Sequence, residues 1–179
     1  MSPFFTIVIP TYNAEKTISV VLDSIITQTF KNYEVVIIDG RSSDNSLKII
    51  SYFQEKWNNI RLISEHDKGI YDAMNKGIEI AKGEWLLFLG SDDILYNLRV
   101  LDQAMTKINA NLGKKFFYGN VLINGDTGWA KDGEIYDGPF TIGKLLKRNI
   151  SPQGIFYHKE VFKKIGVYKL NYKIWQTTI

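Results

Sequence analysis

The chain has 179 residues and a mass of 20.6 kDa, with 45% hydrophobic and 23% charged residues. That suits one packed domain and excludes charge-driven disorder. Zero cysteines exclude disulfides and thiol nucleophiles, two histidines (His66 and His158) are too few for a histidine metal cage, and a net charge of +3 gives no case for nucleic acid.

The elements alternate in chain order. Phe4 to Ile9 reads as a buried strand ending at Pro10. Ile18, Val21, Leu22, Ile25 and Ile26 then share one helix face, with Thr11 or Asn13 as candidate cap. Tyr33 to Ile38 is a second strand, stopping at Asp39-Gly40, and Ser43 and Asp44 offer caps for a helix carrying Leu47, Ile50, Phe53 and Trp57. Ile60 to Ile63 is a third strand, followed by a helix through Ala73, Met74, Gly77, Ile78 and Ala81 that Gly83 closes. Trp85 to Leu89 is a fourth strand, and Leu98, Leu101, Met105, Ile108 and Leu112 mark a fourth helix. This rhythm predicts βαβ units and a mostly parallel, Rossmann-like α/β sheet flanked by helices.

Beyond residue 115 the rhythm changes. Phe116 to Ile123 reads as a strand, Asn124 to Gly128 as a turn, and Trp129-Ala130 as an antiparallel return. Lys144 to Arg148 reads as a short basic helix, Gly154 to His158 as a strand, and Val161 to Ile165 as a helix closed by Gly166. We read 1–179 as a single domain. The start lacks the positive stretch of a secretion signal and no apolar run reaches the about 18 residues of a membrane span, so the sequence reads as a soluble intracellular protein.

In an open parallel sheet, ligands bind beyond the carboxyl ends of the strands. The strand assignments bring four polar clusters to that edge: Pro10-Thr11-Tyr12-Asn13, Asp39, His66-Asp67-Lys68-Gly69 and Gly90-Ser91-Asp92-Asp93. Two adjacent carboxylates repel, so Asp92 and Asp93 either hold a hard cation such as Mn²⁺ or Mg²⁺ or cap and open a following turn. Tyr12 is either a core aromatic or a stacking platform for a flat base. Asp39 either accepts from a base or ribose or starts the Asp39-Gly40 turn. Lys68 either meets a phosphate or lies on the surface. His66 reads as a loop residue and His158 as strand packing. Lys144, Lys147 and Arg148 either touch a membrane surface or form a solvated face.

Three stretches carry a resemblance. Ile7 to Asn13, Val36 to Ser46 and Ala81 to Asp93 together resemble family 2 of the GT-A-fold inverting glycosyltransferases, over residues 4 to about 170. The run Gly69-Ile70-Tyr71-Asp72-Ala73-Met74-Asn75-Lys76-Gly77 and the ending Gly-Ser-Asp-Asp resemble a bacterial subgroup that builds capsular and exopolysaccharide chains. The resemblance implies a nucleotide-diphosphosugar donor, most often UDP-linked, a divalent metal ion (Mn²⁺ or Mg²⁺), and transfer with inversion to a saccharide or lipid-linked saccharide acceptor. By position it implies that Pro10, Thr11 and Tyr12 line the base pocket, Asp39 binds the base or ribose, and Asp67 and Gly69 lie near ribose and phosphates. Ser91 and Asp92 would bind substrate, with Asp92 and Asp93 at the metal. It also implies a nucleotide-binding half over 1–115, an acceptor-side half over 116–179 and a cytoplasmic location with peripheral membrane association. A truncated edge with unpaired strands and exposed aromatics such as Trp175 invites a second chain, hence a homodimer.

The sequence departs from the family at three places. Gly90 stands at the first acidic position of Asp-x-Asp, and Arg41 stands within the usual Asp-Asp-Gly-Ser run. The segment expected to supply the general base reads Lys173 to Ile179, and Glu160 is the last carboxylate, so the sequence offers no catalytic residue and reads as C-terminally truncated. A binding module without turnover is the competing reading. Dinucleotide and P-loop enzymes lose support because neither glycine-rich motif occurs.

Overall fold

The computed structural model describes residues 2–126, 130–136, 140–145 and 149–171. The elements in order are β1 (Phe5–Thr11), α1 (Ile18–Ile26), β2 (Tyr33–Asp39), α2 (Ser46–Lys56), β3 (Ile60–Ser64), α3 (Ile70–Ile80), β4 (Trp85–Phe88) and α4 (Val100–Asn109). They continue as β5 (Phe116–Tyr118), β6 (Val121–Leu122), β7 (Ile135–Tyr136), α5 (Ile142–Leu145), a 3₁₀ turn (Pro152–Gly154), β8 (Ile155–His158) and α6 (Glu160–Ile165).

The main sheet has the order β3-β2-β1-β4-β8-β5. The first four strands are parallel, and β8 runs antiparallel to both β4 and β5. The chain winds outward from β1 through β2 to β3, then crosses to β4 on the other side of β1. That reversal puts the topological switch point between β1 and β4, at the edge where sheets of this kind bind ligands.

Both faces of the sheet are covered, which is why the strands read as continuous apolar runs. On one face Phe5, Ile7, Ile9, Val35, Ile37 and Leu87 pack against Leu22 and Ile25 of α1, Ile50 of α2 and Leu101 of α4. On the other, Val8, Leu86 and Phe88 meet Met74 of α3 and Phe162 of α6. Ile7, Val8 and Ile9 have no exposed surface, and each such side chain contributes about 1.5–3 kcal/mol over an exposed one. Pro10 fits inside central β1 because β4 makes its last register pair, Phe88, with Val8. Asn75 of α3 clamps the chain after α6, donating to the Tyr168 carbonyl at 2.8 Å and accepting from its N–H at 2.9 Å.

Several local expectations change. Neither Thr11 nor Asn13 caps α1; the helix starts after Thr17, and the Ala14 carbonyl accepts from the N–H groups of Thr17 and Ile18. Gly83 does not close α3, whose cap is Ala81; a Cβ at Gly83 would lie 2.6 Å from the Thr6 backbone N, so the glycine is there for close approach. The stretch 116–123 is two short strands, because Gly119 and Asn120 break it. The antiparallel return comes at β7, which pairs Tyr136 with Val121; Ala130 is in no strand, and Trp129 lies outside the described residues. Leu98 and Leu112 flank α4 on the surface instead of extending its apolar face. Lys144 lies over the Phe140 ring at 4.5 Å, and Lys147, Arg148 and Trp175 lie outside the described residues. No helix among the described residues is long and apolar enough to cross a membrane.

Candidate functional site

The loops after β1 and β2 are built as one unit. The Asn13 N–H donates to Ser42 Oγ at 2.8 Å, and Asn13 Oδ1 accepts from the Ser43 N–H at 2.9 Å. The Ala14 N–H donates to Ser46 Oγ at 2.7 Å, and Glu15 Oε2 accepts from the Asn45 N–H at 2.9 Å. Within this clasp Asn13 (φ 49°) and Arg41 (φ 62°) both adopt the left-handed conformation. That conformation costs a residue with a side chain about 1–2 kcal/mol. The cross-loop hydrogen bonds hold it in place.

Asp39 sits beneath the clasp with none of its surface exposed. One oxygen accepts from the Ser42 N–H at 3.1 Å and the Ser64 hydroxyl at 2.6 Å, and the other from the Ser42 hydroxyl. Ser64 is its register partner on β3. The carboxylate therefore pins the β1–β2–β3 edge, and a ligand reaches it only if these contacts open. Thr11 is also turned inward, its hydroxyl donating to the Ile9 carbonyl at 3.2 Å, and Pro10 is half-buried.

Above this edge, Tyr12, Gly40, Arg41, His66 and Asp67 wall a cleft of about 370 Å³. Tyr12 is 67% exposed, so its ring lies on the cleft wall and not in the core. Gly40 makes the approach possible: a Cβ there would lie 2.7 Å from Asp67 Oδ2 and 3.4 Å from Tyr12 Cδ2. The other oxygen of Asp67 accepts from the Gly69 N–H at 2.8 Å. Gly69 has φ 104°, a conformation that favours glycine, and leads straight into α3. Lys68 is exposed, and its N–H donates to Asp72 at 3.0 Å.

The fourth cluster lies at the end of β4. Asp93 Oδ2 accepts from the Gly90 N–H at 3.1 Å, and the Asp93 N–H donates back to the Gly90 carbonyl. Burial, reinforced by the charge of Asp92, pushes the Asp93 carboxyl above the ordinary carboxylate range. A Cβ at Gly90 would lie 2.6 Å from Asp93 Oδ2 and 2.8 Å from Asp92 Oδ1, so both carboxylates converge beside that glycine. Among the described residues no group of three or more His, Asp or Glu is arranged to hold a metal by itself. Two converging carboxylates with a like-charge penalty fit a hard divalent cation that takes its remaining ligands from water and a diphosphate. Ser91 is half-buried beside them.

His158 belongs to the opposite end of the sheet. It pairs in register with Trp85, the first residue of β4, and its Nε2 lies 3.3 Å from Glu84 Oε1. It is a packing residue. Glu160 is at the same end, 2.7 Å from Lys115 Nζ, and this pairing draws its carboxyl below the usual range.

The profile of the family described as Glycosyl transferase family 2 matches residues 6–166. The chain belongs to that family. Its GT-A fold agrees with solved relatives: S. aureus TarS in complex with UDP-GlcNAc superposes with a TM-score of 0.73 at 27% identity, over 92% of this chain and 48% of that one. The Pyrobaculum calidifontis mannosyltransferase PcManGT, in complex with GDP-Man and Mn²⁺, gives a TM-score of 0.73 at 19% identity, over 96% and 49% of the two chains, a likeness of fold alone. In sequence, this glycosyltransferase domain is 38% identical over 175 residues to the PGL/p-HBAD biosynthesis glycosyltransferase of Mycobacterium bovis, covering 97% of this chain and 66% of that protein. It is 32% identical over 164 residues to the Escherichia coli UDP-Glc:alpha-D-GlcNAc-diphosphoundecaprenol beta-1,3-glucosyltransferase WfgD, covering 90% and 56%. The chain thus spans about two thirds or less of the length of these relatives.

Sequence reasoning passed over Arg41 as a cleft residue and treated His66 as loop alone, yet both wall the cleft. The departure from the usual family run at Arg41 was the available signal. Ser64 carries no signal of its own; only the β2–β3 register reveals it as the partner of Asp39.

Proposed function

We propose that this family 2 domain binds a UDP-sugar and transfers its sugar, with inversion, to a saccharide or lipid-linked saccharide acceptor in bacterial polysaccharide biosynthesis. The observation that carries this reading is the cleft at the carboxyl edge: exposed Tyr12 faces Asp67 across Gly40, with Asp92 and Asp93 at the end of the neighbouring parallel strand. Residues 1–115 form the nucleotide-binding half and 116–179 belong to the acceptor side. Tyr12 stacks on the base, Asp67 and Gly69 approach the ribose and phosphates, and Pro10 and Thr11 shape the floor. Ser91 and Asp92 meet the donor. Asp39 contributes through the loop clasp it pins. A Mn²⁺ or Mg²⁺ ion held by Asp92 and Asp93 would offset the charge of the departing diphosphate.

Inversion requires the acceptor hydroxyl to attack the anomeric carbon from the face opposite the diphosphate, as the bond to the diphosphate breaks and a base takes the hydroxyl proton. We place the protein in the cytoplasm, at the inner face of the membrane, where lipid-linked acceptors are found. A homodimer belongs to the same proposal.

Glu160 is fixed by Lys115 at the far end of the sheet from Asp92. This favours a second reading, in which the residues in hand bind the nucleotide sugar without turning it over. Calorimetric titration with UDP, with and without Mn²⁺, tests the binding common to both. Tyr12→Ala should weaken UDP about tenfold, equivalent to roughly 1.4 kcal/mol and within the range for one stacked base. Asp92→Asn should abolish the Mn²⁺ enhancement of UDP affinity. A chain that ignores UDP, or whose UDP affinity is indifferent to Tyr12, overturns the proposal. Sugar release to an acceptor then separates the two readings.

A further inference from the structure

We propose that Lys76 is a positioning residue for the cleft, holding the loop that presents His66 and Asp67; its effect on ligand binding rests on the nucleotide reading above. Lys76 lies on α3, and its Nζ reaches back along the helix to the loop that enters it. The ammonium donates to the His66 carbonyl at 2.8 Å, pairs with Glu65 Oε1 at 2.9 Å and lies 3.7 Å from Asp72 Oδ2. Asp72 in turn accepts from the Lys68 N–H at 3.0 Å. Residues 65, 66 and 68 are therefore tied to the helix from one side.

Asp67 is the residue these ties leave facing the cleft, where its Oδ2 lies within 2.7 Å of a Cβ position on Gly40. At the other end of the loop the Glu65 N–H donates to the Asp39 carbonyl at 2.9 Å. Between that anchor and Gly69, the backbone carbonyl of His66 is held by Lys76.

An ion pair this open to solvent contributes little to global stability, and the Glu65 side chain is 53% exposed. The bond to a backbone carbonyl is different in kind. It fixes the direction of the chain at the residue before Asp67, and small displacements of a binding group cost affinity out of proportion to stability. The hydrogen bond and charge of Glu65 raise the Lys76 pKa, so the cation persists at neutral pH. This gives a physical use to the Asn75-Lys76-Gly77 end of the helix motif. Asn75 grips the Tyr168 segment, and Lys76 grips the cleft loop.

The experiment compares wild type, Lys76→Met, Lys76→Arg and Glu65→Gln. Amide hydrogen exchange over residues 65–69, measured without ligand, should be about tenfold faster in Lys76→Met, with the remainder of α3 unchanged. UDP affinity should fall about five- to tenfold, while the thermal midpoint moves by only a few degrees. Lys76→Arg should restore both readouts, and Glu65→Gln, which keeps the carbonyl bond, should stay near wild type. Unchanged exchange over 65–69 in Lys76→Met overturns the proposal. So does wild-type UDP affinity in that variant, or a Glu65→Gln defect as large as the lysine loss. A wild-type chain that ignores UDP overturns the nucleotide reading instead, and the ligand-free exchange still decides whether Lys76 holds the loop.

Discussion

Asp39→Ala separates two roles that the same carboxylate can have. A group reserved for a ligand leaves the free protein nearly intact when removed, whereas a structural pin does not. Asp39 is fully buried and accepts from three donors: the Ser42 N–H at 3.1 Å, the Ser64 hydroxyl at 2.6 Å and the Ser42 hydroxyl. Hydrogen bonds to a charged acceptor contribute about 1.5–3 kcal/mol each; Ser42 is half-buried and Ser64 exposed, so water takes up part of what their donors lose. Contacts at one site are not additive, and the native state already bears the desolvation of a buried carboxylate. We therefore expect a net loss of about 3–5 kcal/mol in Asp39→Ala. At roughly 2–4 °C per kcal/mol for a chain of this size, the thermal midpoint should drop by about 6–20 °C. Asp39→Asn should lose only about 1–2 kcal/mol, since its amide oxygen still accepts from Ser42 N–H and its NH₂ can donate to a serine hydroxyl. Urea unfolding of the ligand-free variants, followed by circular dichroism, measures both. An Asp39→Ala protein within about 0.5 kcal/mol of wild type would refute the structural role and return Asp39 to the ligand.

Two further outcomes follow from buried polar groups. Gln28 has no exposed surface; its Nε2 donates to the carbonyls of Ser24 (3.1 Å) and Asn97 (2.6 Å), and its Oε1 accepts from the Leu101 N–H (3.1 Å). Gln28→Ala removes all three bonds and strands the buried Leu101 N–H, so urea unfolding should show a loss of about 3 kcal/mol, with faster exchange in the segment after Asp92-Asp93. Because Asp93 has a raised carboxyl pKa in the fold, the folded state favours its protonated form; that stability is present below the ordinary aspartate range and lost as pH rises through the raised value. Asp93→Asn should therefore raise the unfolding midpoint at pH 7, the gain should shrink as pH falls through the carboxylate range, and Mn²⁺ should narrow it at neutral pH. A gain that grows on acidification would contradict this.

The fold was legible where one periodicity governed a whole element. β2 announced itself because both faces of the sheet are covered, so every residue from Tyr33 to Asp39 is buried and the run is apolar apart from Glu34 and Asp39. α1 was equally plain, since Ile18, Val21, Leu22 and Ile25 all face the core. Past residue 115 the strands are two to four residues long, too short for alternation to register. A return strand at Trp129-Ala130 therefore falls short of β7 at Ile135–Tyr136, and the apolar run over 116–123 hides the break at Gly119-Asn120.

The site was legible to the extent that topology alone could assemble it. Once β1, β2, β3 and β4 are parallel, Tyr12, Asp67 and Asp92 must share one edge whatever their side chains do. What each side chain does there depends on partners chosen by register, and register is silent in a sequence of this kind. Glu34 shows the rule away from the site: a charged residue in an apolar strand, it is buried because Arg61, Thr6 and the Lys82 N–H converge on it from three other segments. Asp39 obeys it at the site. Its position on the edge made it a ligand candidate, and the hydroxyl of Ser64, brought alongside by β3, is what makes it a pin. A carboxylate at a strand end thus acquires its role from the neighbouring strand, so the polar residue registered opposite it must be known before the carboxylate is assigned to a substrate.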